Sequence, residues 1–132
     1  PLEPGKIRVL KVLPDALWTD HIVCELRNVP LYEARVQRYT ALSYYWGPPS
    51  QPRHTIIVNY RNMVIGEQLF NALTYLRSPT ESRDLWIDAI CIRQDDNDEK
   101  SQQLPMMGDI YTFAESVNIW LGIDADDSSY AL

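Results

Sequence analysis

The sequence has few of the residues that mark secreted, metal-binding or membrane-spanning domains. It contains two cysteines, Cys24 and Cys91, whereas small secreted domains usually carry several cysteines in pairs. We therefore expect reduced thiols and a cytoplasmic location. The two histidines, His21 and His54, have no metal-ligand neighbour at useful spacing, so we predict no metal site and no bound cofactor. No apolar run approaches the roughly 20 residues that span a bilayer, so we expect no membrane segment.

Positive charge is also scarce in this chain. Twelve Lys and Arg residues face 18 Asp and Glu residues, which gives a net charge of −6 at pH 7. An acidic chain repels the phosphate backbone, so we expect no nucleic-acid partner. Hydrophobic residues make up 45% and charged residues 23%, a composition that is typical of a folded domain.

The length permits a single domain that covers residues 1–132 and has a real core. No linker, internal repeat or low-complexity segment divides the chain. Because the sequence begins at Pro1 rather than Met, we expect this domain to be a fragment of a larger parent protein.

The second half of the chain predicts a parallel βαβ crossover. Two apolar segments, 85–92 and 117–121, read as buried strands, and an amphipathic helix lies between them. The apolar face of that helix comprises Leu104, Met107, Ile110, Tyr111 and Ala114. Pro105 costs about 3 kcal/mol inside a helix, so the helix either kinks there or begins regularly near Leu104.

The first half predicts mainly strands. Segments 7–13 and 22–29 indicate an N-terminal antiparallel hairpin, 40–46 a further strand, and 55–60 with 62–65 a second hairpin. Residues 67–77 show the spacing of an amphipathic helix, and residues 128–132 resemble a helix start. Together the segments predict an α/β fold with a mostly parallel sheet flanked by helices.

Polar residues crowd into the loop after the strand 85–92, over residues 94–99. Loops at the carboxyl ends of parallel strands are where α/β folds place ligands. The same carboxylates could instead cap the amides at the start of the following helix. Asp88 interrupts the apolar strand, and a buried carboxylate needs a partner, so it is either a site residue or a hydrogen-bonding residue.

Three blocks of the sequence resemble the fungal heterokaryon-incompatibility (HET) domain. They are YTALSYYWG (39–47), LWIDAICIRQDDNDEKSQQ (85–103) and MGDIYTFAESVNIWLG (107–122). The resemblance implies a role in fungal non-self recognition, a form of innate immunity, in which the domain triggers programmed cell death. It further implies a distant similarity to TIR domains with their flavodoxin-like sheet, and C-terminal helices beyond residue 132.

A TIR-like domain would cleave the nicotinamide from NAD, which makes NAD a possible substrate of this chain. The candidate catalytic residues are Glu99 and Asp88, because a carboxylate stabilises an oxocarbenium-like transition state. The candidate substrate-binding residues are Ser43, Tyr45, Trp46, Gly47, Gln94, Asp95 and Gln103. Glu99 and Gln103 would share one helix face. The TIR pattern places its catalytic glutamate after the strand 117–121, and no glutamate follows Glu115.

The alternative is a non-catalytic module that signals by self-association. The acidic loop 95–99 and the aromatic SYYWG turn at 43–47 would then be contact surfaces, since exposed Tyr and Trp are good interface anchors. Other domains of the parent protein would be its further partners. The two functions are compatible with each other.

Overall fold

The computed structural model describes residues 2–14, 21–32, 38–44, 52–120 and 129–131. The strands are β1 (Lys6–Val12), β2 (Val23–Pro30), β3 (Thr40–Tyr44), β4 (Arg53–Val58), β5 (Arg61–Gly66), β6 (Arg83–Trp86), β7 (Ser116–Trp120) and β8 (Ser129–Ala131). The helices are α1 (Glu67–Leu76), α2 (Asp88–Cys91), α3 (Asn97–Gln103) and α4 (Met107–Phe113), with a 3-10 turn at Leu104–Met106.

All the described strands form one mixed sheet in the order β5-β4-β2-β1-β6-β3-β7-β8. Within the described ranges four neighbouring pairs are antiparallel, and three are parallel: β2–β4, β3–β6 and β3–β7. The predicted α/β class and the N-terminal antiparallel pair are confirmed. The prediction of a mostly parallel sheet is correct for β6, β3 and β7 and for the pair β2–β4, but not for the sheet as a whole, because β1, β5 and β8 pair antiparallel with their neighbours.

The predicted crossover is present between β6 and β7, which are parallel and have β3 between them. Its first strand is shorter than the predicted 85–92. It ends at Trp86, and Asp88–Cys91 forms a helical turn in which the amide of Cys91 donates to the Ile87 carbonyl over 2.7 Å. A short apolar run fits a buried helical turn as well as a strand, which explains the error.

Pro105 divides the predicted crossover helix. It lies in the 3-10 turn Leu104–Met106, where its missing amide is tolerated, and α4 begins immediately afterwards. Ile110 is buried against the core, as the predicted helix face requires, but Leu104 is 59% exposed because the turn rotates it outward. The Tyr39 hydroxyl donates to the Ile110 carbonyl and so joins β3 to α4.

The C-terminal prediction of a helix start is wrong over residues 129–131. These residues form β8, which pairs antiparallel with β7 through Asn118 opposite Ala131 and Trp120 opposite Ser129. The backbone amides and carbonyls on the outer side of β7 can form hydrogen bonds with an extended segment. This pairing, rather than the local sequence pattern, determines that residues 129–131 form a strand. Residues 128 and 132 lie outside the described ranges.

The core contains the apolar residues that the periodicity predicts. Trp86 is fully buried and Trp120 is 6% exposed, and α1 buries Leu69, Ala72 and Leu73. Both cysteines are buried free thiols. Among the described helices, none is long and apolar enough to cross a membrane.

The β4–β5 hairpin closes through a turn with two left-handed residues. Asn59 has φ 51° and Tyr60 has φ 67°, which is the geometry of a type I′ turn. The Asn59 side chain accepts from the Leu26 amide over 2.8 Å and donates to the Leu26 carbonyl over 3.4 Å. Asn59 therefore ties the turn to β2, while Tyr60 adopts an unfavourable conformation and is 96% exposed.

We predict that Tyr60→Gly is more stable than Tyr60→Ala by about 1 kcal/mol. Glycine adopts a positive φ without the steric cost that any side chain meets there. Urea unfolding of the two variants measures the difference, and both lack the exposed tyrosine ring. Equal stability of the two variants would show that the turn carries no such strain.

Candidate functional site

The carboxyl ends of three parallel strands lie together on one side of the sheet, which we call the carboxyl edge to distinguish it from the outer strands β5 and β8. β6 ends at Trp86, β3 at Tyr44 and β7 at Trp120. Asp88 begins the helical turn that directly follows β6. α/β folds present ligand-binding groups at this position, so we expect the side chains that bind a ligand to lie at this edge.

Asp88 lies near two phenols at this edge. Burial, and to a lesser extent the negative charge of Asp88, raises the pKa of Tyr44 to about 12. The same two causes raise the pKa of Tyr111, whose ring meets the Trp86 ring edge-on at 5.6 Å. Both phenols therefore stay neutral at physiological pH and can donate hydrogen bonds. The half-buried Asp88 carboxylate receives no hydrogen bond from any residue that the structure describes.

Three of the seven predicted binding residues, Ser43, Gln94 and Asp95, lie near the carboxyl end of β3 or on the loop after α2. The Gln94 amide donates to the Asp88 carbonyl over 2.8 Å and to the Ile92 carbonyl over 3.1 Å, which folds the loop back on α2. Asp95 is exposed, 3.7 Å from the Nε of Arg93. Ser43 is exposed near the end of β3. The predicted residues Tyr45, Trp46 and Gly47 lie outside the described residues.

Glu99, the other predicted catalytic carboxylate, is held in a closed network. Arg8 of β1 donates from Nη1 to Oε2 over 2.6 Å and from Nη2 to Oε1 over 2.8 Å. The Arg93 amide donates to Oε2 over 2.6 Å. Arg8 also donates to the Cys91 carbonyl over 3.0 Å. We call this set of contacts the Arg8–Glu99 clamp; it fixes the loop between α2 and α3 on the sheet.

The clamp is buried and strongly ionic. The side chains of Arg8 and Glu99 are 11% and 5% exposed. Hydrogen bonds from Arg8 outweigh the effect of burial and lower the pKa of Glu99 below its ordinary value of 4.5. The same pairing raises the pKa of the Arg8 guanidinium. Glu99 is therefore ionised, and both of its oxygens already accept charge-assisted hydrogen bonds.

Gln103 lies on the same buried face of α3 as Glu99, as the helical spacing predicts. Its Nε2 donates to the Lys6 carbonyl of β1 over 3.0 Å, and its side chain is buried. The structure thus groups Gln103 with β1, and groups Gln94 with Asp88. Whether either residue binds a substrate stays a prediction.

The helix-capping interpretation of the acidic loop is correct for one residue. Asp96 is the N-cap of α3, and its carboxylate accepts from the Glu99 amide over 3.1 Å. Asp98 follows in the first helical turn, where negative charge favours the helix dipole. Asp88 also lies in the first turn of its helix, α2, but unlike Asp96 its carboxylate accepts no hydrogen bond from the described residues.

The described residues do not form a reactive cysteine or a cluster of metal ligands at this site. Burial raises the pKa of Cys91 to about 12, so at neutral pH it is a protonated thiol rather than a nucleophilic thiolate. Among the residues described, no three His, Cys, Asp or Glu side chains come together to hold a metal ion.

A separate open cavity of about 500 Å³ lies at the opposite edge, where β3, β6 and β7 begin. Its lining charges are largely neutralised by neighbours: Arg38 lies 3.8 Å from Glu115, and Asp84 lies 3.1 Å from Arg27. The Asp88 edge instead offers a carboxylate that has no cationic partner among the described residues, so we assign the candidate site there.

The sequence did not identify Arg8, Tyr44 and Tyr111 as residues around the site. Arg8 is separated from Glu99 by 91 positions, and no periodicity reports such a pairing. Arg8 is one of three cationic residues in β1, with Lys6 and Lys11, so its charge alone did not single it out in the sequence. Tyr111 belongs to the apolar face that was predicted for the crossover helix, and its ring does pack against Trp86.

We predict that Arg8→Ala lowers the free energy of unfolding by about 3 kcal/mol, because it leaves the Glu99 carboxylate buried without its cation. Lys6→Ala is the matched control on the same strand. Its ion pair with Glu3 is largely exposed, so its loss costs less than about 1 kcal/mol. Denaturant unfolding measures both changes, and equal losses would refute the structural role of the clamp.

The lowered pKa of Glu99 predicts an acid-sensitive contribution to stability. Because the folded-state pKa is below the unfolded-state value, this contribution is complete above the unfolded pKa of about 4.3 and is lost as pH falls through the folded pKa. Glu99→Gln should therefore lose more stability at pH 7 than at pH 3. Unfolding curves at the two pH values test this, and a loss independent of pH would contradict it.

Comparison with known proteins identifies the family. The model of the family "Heterokaryon incompatibility protein (HET)" matches residues 39–132. The chain is 36% identical, over 135 aligned positions, to "Heterokaryon incompatibility protein 6, OR allele" of Neurospora crassa. This alignment covers 93% of the chain and 20% of the relative, so the chain spans about a fifth of that protein's length. No solved structure matches. The chain belongs to the HET family of heterokaryon-incompatibility proteins.

Proposed function

We propose that this chain is the effector domain of a fungal incompatibility protein and triggers programmed cell death in the cytoplasm after non-self recognition. Family membership supports a role in incompatibility. Because the chain spans only 20% of its relative, the activity of the whole protein belongs to the proposal. Other domains of the parent protein would supply the sensor that activates the effector.

The proposed chemistry is hydrolysis of the bond between nicotinamide and ribose in NAD: nicotinamide leaves with the bonding electron pair, and water adds to the ribose carbon and releases a proton. The observation that carries it is the placement of Asp88 at the carboxyl edge of the parallel strands β6, β3 and β7. The parallel pairing of these three strands is the feature that supports the proposed TIR-like or flavodoxin-like arrangement. The antiparallel β1 and β2 beside them depart from it.

The electrostatics of this edge suit glycosidic cleavage. The transition state carries positive charge on the ribose, and a carboxylate that is not neutralised by a cation stabilises that charge. Asp88 meets this condition within the described residues, whereas Glu99 is already paired with Arg8. The neutral phenols of Tyr44 and Tyr111 could contact the bases or ribose hydroxyls, and NAD would be the substrate rather than a resident cofactor.

The two predicted carboxylates then have different roles. Asp88 would contact the reacting ribose as the catalytic residue. Glu99 would act through the clamp as a positioning residue that fixes the loop carrying Gln94 and Asp95. The predicted binding residue Ser43 would approach the substrate from the end of β3. Tyr45, Trp46 and Gly47, which lie outside the described residues, stay predicted binding residues.

The second candidate function is a self-associating module without catalysis. Large exposed side chains on the described surface favour it: Tyr60 is 96%, Tyr75 68%, Tyr32 65% and Val64 57% exposed. Aromatic side chains of this kind anchor protein interfaces when they become buried. Cell death would then follow from assembly, and NAD would stay intact.

The test is expression of the whole gene product in fungal cells, with NAD and viability measured over time. Asp88→Asn should reduce the rate of NAD loss at least about 100-fold and prevent death, because it removes the charge that stabilises the transition state. Asp109→Asn is the matched control, since Asp109 is an exposed carboxylate in the first turn of α4 and is not among the predicted site residues. It should leave NAD loss and death unchanged.

Cell death with constant NAD would refute the proposed chemistry and favour assembly. Equal effects of the two substitutions would refute the assignment of Asp88. Glu99→Gln adds a third comparison: as a positioning residue it should lower thermal stability together with activity. Asp88→Asn should lower activity alone.

A further inference from the structure

Strand β5 forms one edge of the sheet. It pairs with β4 along its whole length, from Arg61 opposite Val58 to Gly66 opposite Arg53. No described strand covers its other side. An uncovered edge presents backbone amides and carbonyls that can pair with another strand.

The turn geometry determines which backbone groups of β5 are free. A two-residue type I′ turn makes its flanking residues, Val58 and Arg61, a hydrogen-bonded pair. Because the pattern alternates, Arg61, Met63 and Ile65 direct their backbone groups toward β4. The backbone groups of Asn62, Val64 and Gly66 therefore point away from the sheet.

We propose that β5 pairs antiparallel with β5 of a second copy of this chain, about a two-fold axis at Val64. In a symmetric antiparallel ladder, residues with outward groups must face each other. The arrangement centred on the strand places Val64 opposite itself and Asn62 opposite Gly66 of the second copy. It joins two eight-stranded sheets into one continuous sheet.

The side chains of β5 suit this pairing on both faces of the sheet. On the inner face, the half-buried Met63 would lie opposite Ile65 of the second copy and extend the apolar core across the axis. On the outer face, Val64 is 57% exposed and would meet its own counterpart. β-branched side chains are favourable cross-strand neighbours.

Charge complementarity selects a second copy as the occupant of this edge. Glu67 is the first residue of α1 and directly follows Gly66, whose backbone is extended (φ −74°, ψ 167°). It therefore lies one position beyond the strand, next to Arg61 of the second copy, and symmetry produces this ion pair twice. Arg61 is exposed and forms no ion pair among the described residues. Glu67 is 34% exposed and lies 3.7 Å from the Nε2 of His54. A strand of unrelated sequence would lack this reciprocal match.

The first test is sedimentation velocity of the protein over a range of concentrations, with Val64→Pro and Val64→Thr as matched variants. Proline removes the outward amide but no hydrogen bond to β4, so it should weaken self-association at least about tenfold. Threonine keeps the amide and the β-branched shape, so the Val64→Thr variant should associate nearly as tightly as the unsubstituted protein. Circular dichroism confirms that both variants are folded.

The second test exchanges the charges. Arg61→Glu or Glu67→Arg alone should weaken association about tenfold, since like charges then face each other twice. The double variant Arg61→Glu/Glu67→Arg should restore it. A monomer at every concentration, or a dimer that is insensitive to Val64→Pro and to the single reversals, would overturn the proposal, and so would a double variant that associates no better than the singles.

This inference gives the self-association candidate a specific surface and rests on that part of the proposed function. Sedimentation records association without reference to NAD or cell death. A monomeric protein that still consumes NAD would refute the β5 interface and leave the proposed chemistry intact. A protein that dimerises through β5 but does not consume NAD would support the β5 interface and refute the proposed chemistry.

Discussion

The Arg8–Glu99 clamp is the interaction on which the candidate site depends. It joins two positions 91 residues apart, and it joins the N-terminal antiparallel strands to the crossover that carries the site. A buried ion pair contributes little net stability compared with apolar packing, but losing one partner is costly. The clamp therefore acts mainly as a geometric constraint: the loop after α2 has one position on the sheet.

This constraint separates the roles of two carboxylates that look alike in the sequence. Glu99 uses both oxygens to hold Arg8 and the Arg93 amide. Asp88, at the other end of the same loop, lies beside the neutral phenols of Tyr44 and Tyr111. Glu99 holds the loop in place, whereas Asp88 has no cationic partner among the described residues. The proposed chemistry follows from that difference.

The sequence predicted elements whose formation depends on local pattern. The hairpin β4–β5, helix α1 and the buried Trp86 follow from periodicity and turn residues. It did not predict the helical turn at Asp88–Cys91 or the insertion of β3 between β6 and β7, because apolar runs carry no information on strand order. For the site, the sequence correctly predicted that Glu99 and Gln103 share a helix face. Whether the loop 94–99 binds a ligand stays a prediction. The partner Arg8 depended on a tertiary contact that no local pattern encodes.

Amide hydrogen exchange at Arg93 tests the central claim most directly. Its amide donates to Glu99, so the clamp predicts that this amide is strongly protected from exchange in the unsubstituted protein. Glu99→Gln should remove that protection, while the amides that pair β1 with β2 remain protected. Fast exchange at Arg93 in the parent protein, or protection unchanged by the substitution, would contradict the claim that the clamp fixes this loop.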